Sequence, residues 1–350
     1  MNHSDHLPSM RDSCYRPILR ARRGELTALH HLDPATAHRV VPILELSGPS
    51  GGETPEHLVQ LVRELRPATG VLSVDFGNLP DPEDTLRSPP LDLAEALDSG
   101  GVAMIPVVRA YDSDRRLAEH GLAARIHRRG AALRLQPHVD AMNPTAATAV
   151  AGRVLRGTGH GPEAFDLVID LAETACRSHA DRFEDEVRRI VRWARTMPWR
   201  SVTVAAGAMP PNLDDLPTDE PVPVGRLDAR LWARIAQPEV GYADYGVTSP
   251  VRRLGINHRQ LPTLRYTAEQ DWWIYRWARR GGRSDDRCYD LCRTLVSSSQ
   301  WPAAGARYSW GDAEIARRAR AAHGGGTAST WIAWSTSHHI AQVLETVSPV

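Results

Sequence analysis

Lysine is absent from this chain. All 42 of its basic residues are arginine, in a length of 350, a bias that a GC-rich genome explains because it also favours Ala, Gly and Pro. Whatever its origin, the absence removes three chemistries at once. A Schiff-base aldolase, a pyridoxal-phosphate enzyme and a Walker-type phosphate loop each need a lysine amine. Cysteine is nearly as scarce, and Cys14, Cys176, Cys288 and Cys292 form no CxxC pair and no zinc-ligand spacing. Cys288 and Cys292 stand one helical turn apart and read as core packing. Net charge is lacking too, since 42 acidic residues cancel the 42 arginines. No global field draws the chain to nucleic acid or to an anionic membrane, so any anion binding must be local. No apolar run approaches the ~20 residues that span a bilayer, and the N-terminus has no signal-peptide core. The expectation is a soluble cytoplasmic protein with no membrane partner. Residues 1–13, polar and carrying two histidines, read as a flexible leader.

What the chain does have is rhythm. Short apolar runs end in a charged or small residue, and each is followed by a helix-like stretch. They are Pro17 to Leu19 before Arg20, Val40 to Leu44 before Glu45, Val71 to Val74 before Asp75, and Met104 to Val108 before Arg109. Then come Ala132-Leu133 before Arg134, Phe165 to Ile169 before Asp170, Val202 to Ala206 before Gly207, and Val240 to Ala243 before Asp244. Near-continuous Val/Ile/Leu runs are what parallel strands covered on both faces require. The reading is an α/β fold, an eight-stranded β/α barrel of the TIM type over residues 14–248. The loops Ser47 to Gly52, Phe76 to Pro90 and Met209 to Val224 are expected on its rim.

After Asp244 the rhythm breaks. Leu264 to Thr267, a Glu269-Gln270-Asp271 turn and Trp272 to Trp277 read as a β-hairpin, followed by helical stretches and a final apolar element with Trp331, Trp334, His338 and His339. Seven of the ten tryptophans lie beyond residue 271, enough for a small separate core. Residues 249–345 are therefore expected to form a hairpin-plus-helix extension that packs on or beside the barrel rim.

The order of several short motifs resembles the beta-protein family, named after a T-even phage protein and scattered through bacterial genomes. They are Tyr15 to Glu25 (YRPILRARRGE), Pro42 to Glu45 (PILE), Asp244-Tyr245-Gly246, Leu264 to Thr267 (LRYT) and His338-His339-Ile340. The family usually carries lysines where Arg20 and Arg22 stand here. A role needing a neutralisable amine would fail in this chain, whereas a cationic role would survive with bidentate geometry. The resemblance implies an accessory or effector protein in phage-host conflict, that is, antiviral defence, with a protein partner from such a system.

Closing the barrel would gather Arg20, Glu45, Asp75, Arg109, Arg134, Asp170 and Asp244 on one rim, where active-site residues of such barrels collect. Buried charges are costly unless they pair, hold a metal or meet a ligand. Three readings stand open. Glu45, Asp75, Asp170 and Asp244 could serve as catalytic carboxylates in metal-assisted phosphoester hydrolysis. Alternatively, Arg20, Arg22, Arg109, Arg134 and Arg265, with Tyr266, His338 and His339, could bind a phosphate-bearing small molecule or nucleotide without turnover. In the third reading the charges satisfy one another, and the chain is a non-catalytic scaffold for protein interaction. No motif names a cofactor or a metal. If the last element is a strand, His338 and His339 face opposite ways and at most one enters the site. Aromatics beside Arg265 and Arg276 could stack bases, yet the zero net charge gives nucleic acid little support.

Overall fold

The computed structural model describes residues 15–48, 53–82, 88–140, 143–174, 177–235, 240–252, 261–278 and 286–346. Cys14, Cys176, the leader and parts of the Ser47 to Gly52 and Phe76 to Pro90 loops lie outside them. In chain order the barrel elements are β1 (Ile18–Arg20), α1 (Arg23–His30), α2 (Pro34–Ala37), β2 (Ile43–Glu45), α3 (Pro55–Leu65), β3 (Val71–Asp75), α4 (Pro89–Asp98), β4 (Ala103–Arg109), α5 (Asp114–His127), β5 (Ala131–Leu135), α6 (Pro137–Asp140), α7 (Pro144–Thr158), β6 (Phe165–Glu173), α8 (Arg177–Ala194) and β7 (Ser201–Gly207). There follow β8 (Pro221–Gly225), α9 (Leu227–Ile235), β9 (Val240–Asp244), β10 (Thr263–Thr267), β11 (Asp271–Arg276), α10 (Asp286–Val296), α11 (Trp310–Ala319) and α12 (Ala328–Thr346).

Eight strands pair in parallel in the order β1-β2-β3-β4-β5-β6-β7-β9. The ends of this sheet meet where the Arg16 N–H donates to the Tyr242 carbonyl at 3.2 Å, so the sheet is an all but closed barrel. Each expected apolar run is one of these strands. Pleat alternation turns Ile18, Ile43, Ile105, Val107, Ala132, Val168, Ala205 and Ala243 into one inner cluster. The opposite faces carry Leu19, Leu44, Val74, Leu133, Leu167 and Val204 against the surrounding helices. Each such side chain, fully buried, contributes roughly 1.5–3 kcal/mol. Helix starts are capped where the sequence offers a short polar side chain, with Ser113 accepting from the Arg116 N–H at 3.1 Å and Asn143 from the Ala146 N–H at 3.0 Å.

Two segments differ from the sequence reading. The end of the Met209–Val224 loop is β8, which lies antiparallel to β11 so that the hairpin becomes a three-stranded sheet ordered β10-β11-β8. Its prolines, Pro221 and Pro223, suit an edge strand, where a missing N–H costs no ladder bond. The last apolar element is a helix, α12, which packs on α1 and β10. A Cβ on Gly24 would stand 2.7 Å from the Ser329 carbonyl, which shows how closely α1 and α12 approach. The extension has its own aromatic core, in which Tyr266, Tyr275, Trp277, Trp331 and Trp334 surround Cys288, Leu291 and Cys292.

Candidate functional site

At the carboxyl ends of the strands the inward positions are charged. Arg134, at β5, is 1% exposed and stands at the centre. Its Nη1 donates to Glu45 Oε1 at 2.9 Å and to Asp75 Oδ2 at 2.7 Å, and its Nε donates to Asp170 Oδ2 at 3.0 Å. Its Nη2 donates to the Tyr245 hydroxyl at 2.7 Å, and that hydroxyl donates to Asp170 at 2.8 Å. Arg109 approaches both oxygens of Asp75 through Nε, at 3.2 and 3.0 Å. The remaining lone pairs are filled from backbone, Gly77 N–H reaching Asp75 and Ala172 N–H reaching Asp170. Ala172 adopts φ +52 at a register shift in β6, a strained conformation that aims its N–H at the carboxylate.

Charge balance sets the protonation states. Burial alone would raise the Asp75 carboxyl, but the Arg109 and Arg134 guanidiniums outweigh it and hold it well below the usual carboxylate range. Asp170 is lowered in the same way, its burial opposed by Arg134 and Arg109. Burial pushes the Tyr245 phenol far up, so it stays protonated. These carboxylates are ionised and occupied, and no group of metal-ligating side chains occurs among the described residues.

Beside this saturated mouth lies a second group with spare donors. Arg252 bridges Glu45 Oε2 at 3.2 Å and Glu53 Oε2 at 3.3 Å, and Arg22 pairs with Glu53 through Nε. Arg20 makes only long contacts to the carbonyls of Ser249 and Val251, at 3.4 and 3.5 Å. Arg265, from β10, donates to the Val247 carbonyl at 2.7 Å, while its Nε and that of Arg252 are buried with no partner. Desolvation, then Arg22 and Arg252, lower the Arg20 guanidinium. Desolvation, then Arg20, bring Arg265 down to about 10. Four cations thus crowd one place.

Asp244 is elsewhere, contrary to the sequence reading. One residue out of phase with Tyr245, it points to the outer face of β9. There it accepts from Tyr15 at 2.5 Å and Tyr242 at 2.9 Å and meets His339 Nε2 at 2.9 Å. His338 and Tyr266 lie apart again, stacked at 3.7 Å and both bonded to Asp312 inside the extension. A helix carries both histidines, yet its 100° step still parts them. The predicted set therefore divides into a mouth network (Glu45, Asp75, Arg109, Arg134, Asp170), an arginine group (Arg20, Arg22, Arg265), an outer cluster (Asp244, His339) and an extension cluster (Tyr266, His338). Sequence reasoning missed Tyr245, Glu53 and Arg252. Tyr245 alone carried a signal, since it directly follows the strand-end aspartate.

A family model described as Beta protein matches residues 15–345. The chain belongs to that family. The span takes in both the mouth network and the extension of this Beta protein member. No curated protein matches the chain. Among solved structures, a mutant tryptophan synthase alpha-subunit from the hyperthermophile Pyrococcus furiosus is similar at 14% identity, covering 67% of this chain and 86% of that one, with a TM-score of 0.38. Tryptophan synthase from M. tuberculosis, in its aminoacrylate-bound form, is similar at 12% identity, covering 54% and 92%, with a TM-score of 0.24. Neither likeness bears on ligand or activity.

Proposed function

We propose that this Beta protein family member binds an oxyanion, in the form of a phosphate-bearing small molecule or nucleotide, at the arginine group beside the barrel mouth. The observation that carries this reading is the incomplete pairing of Arg20 and Arg265 in a partly desolvated place where Arg22 and Arg252 add like charge. An entering anion relieves that repulsion and accepts the spare N–H groups, and guanidinium forks suit phosphate geometry. Metal-assisted hydrolysis has less support, because a cation would have to displace Arg109 and Arg134 from the carboxylates they already neutralise. The exposed Tyr111 and Val251, on loops that follow β4 and β9, offer apolar surface for the rest of a ligand or for a protein partner. In the cell, the family's setting makes a role in phage-host conflict the working expectation.

Calorimetry of the full chain with inorganic phosphate and a mononucleotide tests the binding. Arg20→Ala should weaken it at least about tenfold, the worth of one charge-assisted hydrogen bond. Melting should change little, because a solvent-reachable charge with poor contacts contributes under about 1 kcal/mol. No heat with any oxyanion, or binding indifferent to Arg20→Ala, refutes the reading. A phage challenge checks the biological half, in which wild-type chain should protect and Arg20→Ala should not.

A further inference from the structure

Glu53 joins three segments that follow three different strands. Arg22 precedes α1 after β1, Glu53 precedes α3 after β2, and Arg252 follows β9. The Glu53 side chain is fully buried, and its two oxygens go to two arginines: Oε1 accepts from Arg22 Nε, and Oε2 meets Arg252 Nη1 at 3.3 Å. The Glu53 backbone is fixed as well. Its carbonyl accepts the Ser47 N–H at 2.9 Å, and the next residue, Thr54, caps α3 by accepting the His57 N–H at 3.2 Å. The two guanidiniums would repel each other without the carboxylate between them, and Arg20 stands within electrostatic reach of both. The Arg22 side chain is 47% exposed and makes no other hydrogen bond among the described residues. Without Glu53 it is free to swing into solvent. We infer that Glu53 is the positioning residue of the oxyanion site, gathering Arg22 and Arg252 into place before the anion arrives.

This inference rests on the anion-site reading and predicts an effect opposite in sign to that of charge alone. Glu53 is acidic, so if it acted only through its charge, removing that charge would tighten anion binding. If it acts by holding the arginines, removing it weakens binding even though the site becomes more positive. Preorganised donors spare a ligand the cost of ordering them. With Nε on Glu53, Arg22 leaves its two Nη groups for a ligand, and that pair of donors matches two oxygens of one phosphate or sulfate group. A glutamine cannot stand in for the carboxylate. It offers one acceptor oxygen, and its NH2 group would face guanidinium donors.

Calorimetry of the full chain with inorganic phosphate, at fixed pH and ionic strength, reads that sign. Glu53→Gln should weaken binding at least about tenfold, the loss of one charge-assisted hydrogen bond. In an Arg22→Ala background the same substitution should cost under about threefold, because the arginine through which it acts is gone and Arg252 keeps Glu45. Glu53→Asp keeps the charge and shortens the reach by one methylene, so it should also weaken binding, whereas a charge effect alone would leave affinity at the wild-type value. This variant carries the test if Glu53→Gln does not fold. Equal or tighter binding by Glu53→Gln, wild-type affinity in Glu53→Asp, or the same loss with and without Arg22 overturns the positioning role while leaving the anion site standing. Absence of phosphate binding by the wild-type chain overturns the anion site itself, and the positioning role with it.

Discussion

Replacing Arg134 with methionine removes the centre of the mouth network and leaves three carboxylates to fend for themselves. Asp75 keeps Arg109 and Glu45 keeps Arg252, but Asp170 retains only Gln136, Tyr245 and a backbone N–H. One buried carboxylate is therefore left without a cation, and breaking a buried pair in this way costs roughly 3–5 kcal/mol. At about 2–4 °C per kcal/mol for a chain of this order, the melting temperature should fall by roughly 6–20 °C. Arg134→Lys should fall between, since an ammonium keeps the charge but cannot span three carboxylates and a phenol.

The pH dependence has a definite sign. In the wild-type chain Asp75 and Asp170 sit below their unfolded values. Their contribution is complete above about pH 4 and fades as pH falls through the folded values. In Arg134→Met the Asp170 carboxyl moves above its unfolded value instead, so its penalty is present at neutral pH and is relieved on acidification. Only the second effect acts between pH 7.5 and 4.5, and it narrows the gap between the two proteins over that range, readable by thermal melts followed by circular dichroism. Adding Asp170→Asn to Arg134→Met should recover more than half of the loss, since the double variant no longer buries that charge. A variant melting within 2 °C of wild type at pH 7.5, or a gap that does not change with pH, would show that the network is not what holds the mouth.

The strands were legible because a parallel strand covered on both faces must be apolar on both faces, and runs such as Met104 to Val108 can be little else. The phase of the strand ends was not. Around Asp244 either parity gives a sensible strand, with Tyr242 and Asp244 on one face and Ala243 and Tyr245 on the other, and only barrel closure decides that the second pair points in. A one-residue ambiguity thus exchanged a phenol for a carboxylate in the site. The prolines of Pro221 to Val224 look like loop until β11 arrives from some fifty residues later to give them a partner. Trp331, Trp334 and His338 recur at helical spacing, so α12 was within reach of a period count, but its short apolar run matched a strand equally well. Glu53 and Arg252 leave no local trace because they belong to two different segments that only the closed barrel assembles.

Two further variants test the packing around the site. A Cβ at Gly121 would lie 2.1 Å from the Thr158 carbonyl, so Gly121→Ala must part α5 from α7 and should cost about 1–3 kcal/mol, seen as a lower melting temperature. His339→Gln tests the join between extension and barrel. Burial lowers the His339 imidazole, with Asp244 opposing, so the folded chain resists a proton that the unfolded chain accepts near pH 6.5. Wild-type stability therefore drops between pH 7.5 and 5.5 through this group, whereas the glutamine variant has no such loss. Asp228, which burial brings up to about 6 in the same cluster, runs the other way but is common to both chains. The wild-type advantage in melting temperature should accordingly shrink on acidification. An advantage that grows as pH falls would mean that His339 is held as a cation by Asp244, and that the join is an ion pair instead of a neutral hydrogen bond.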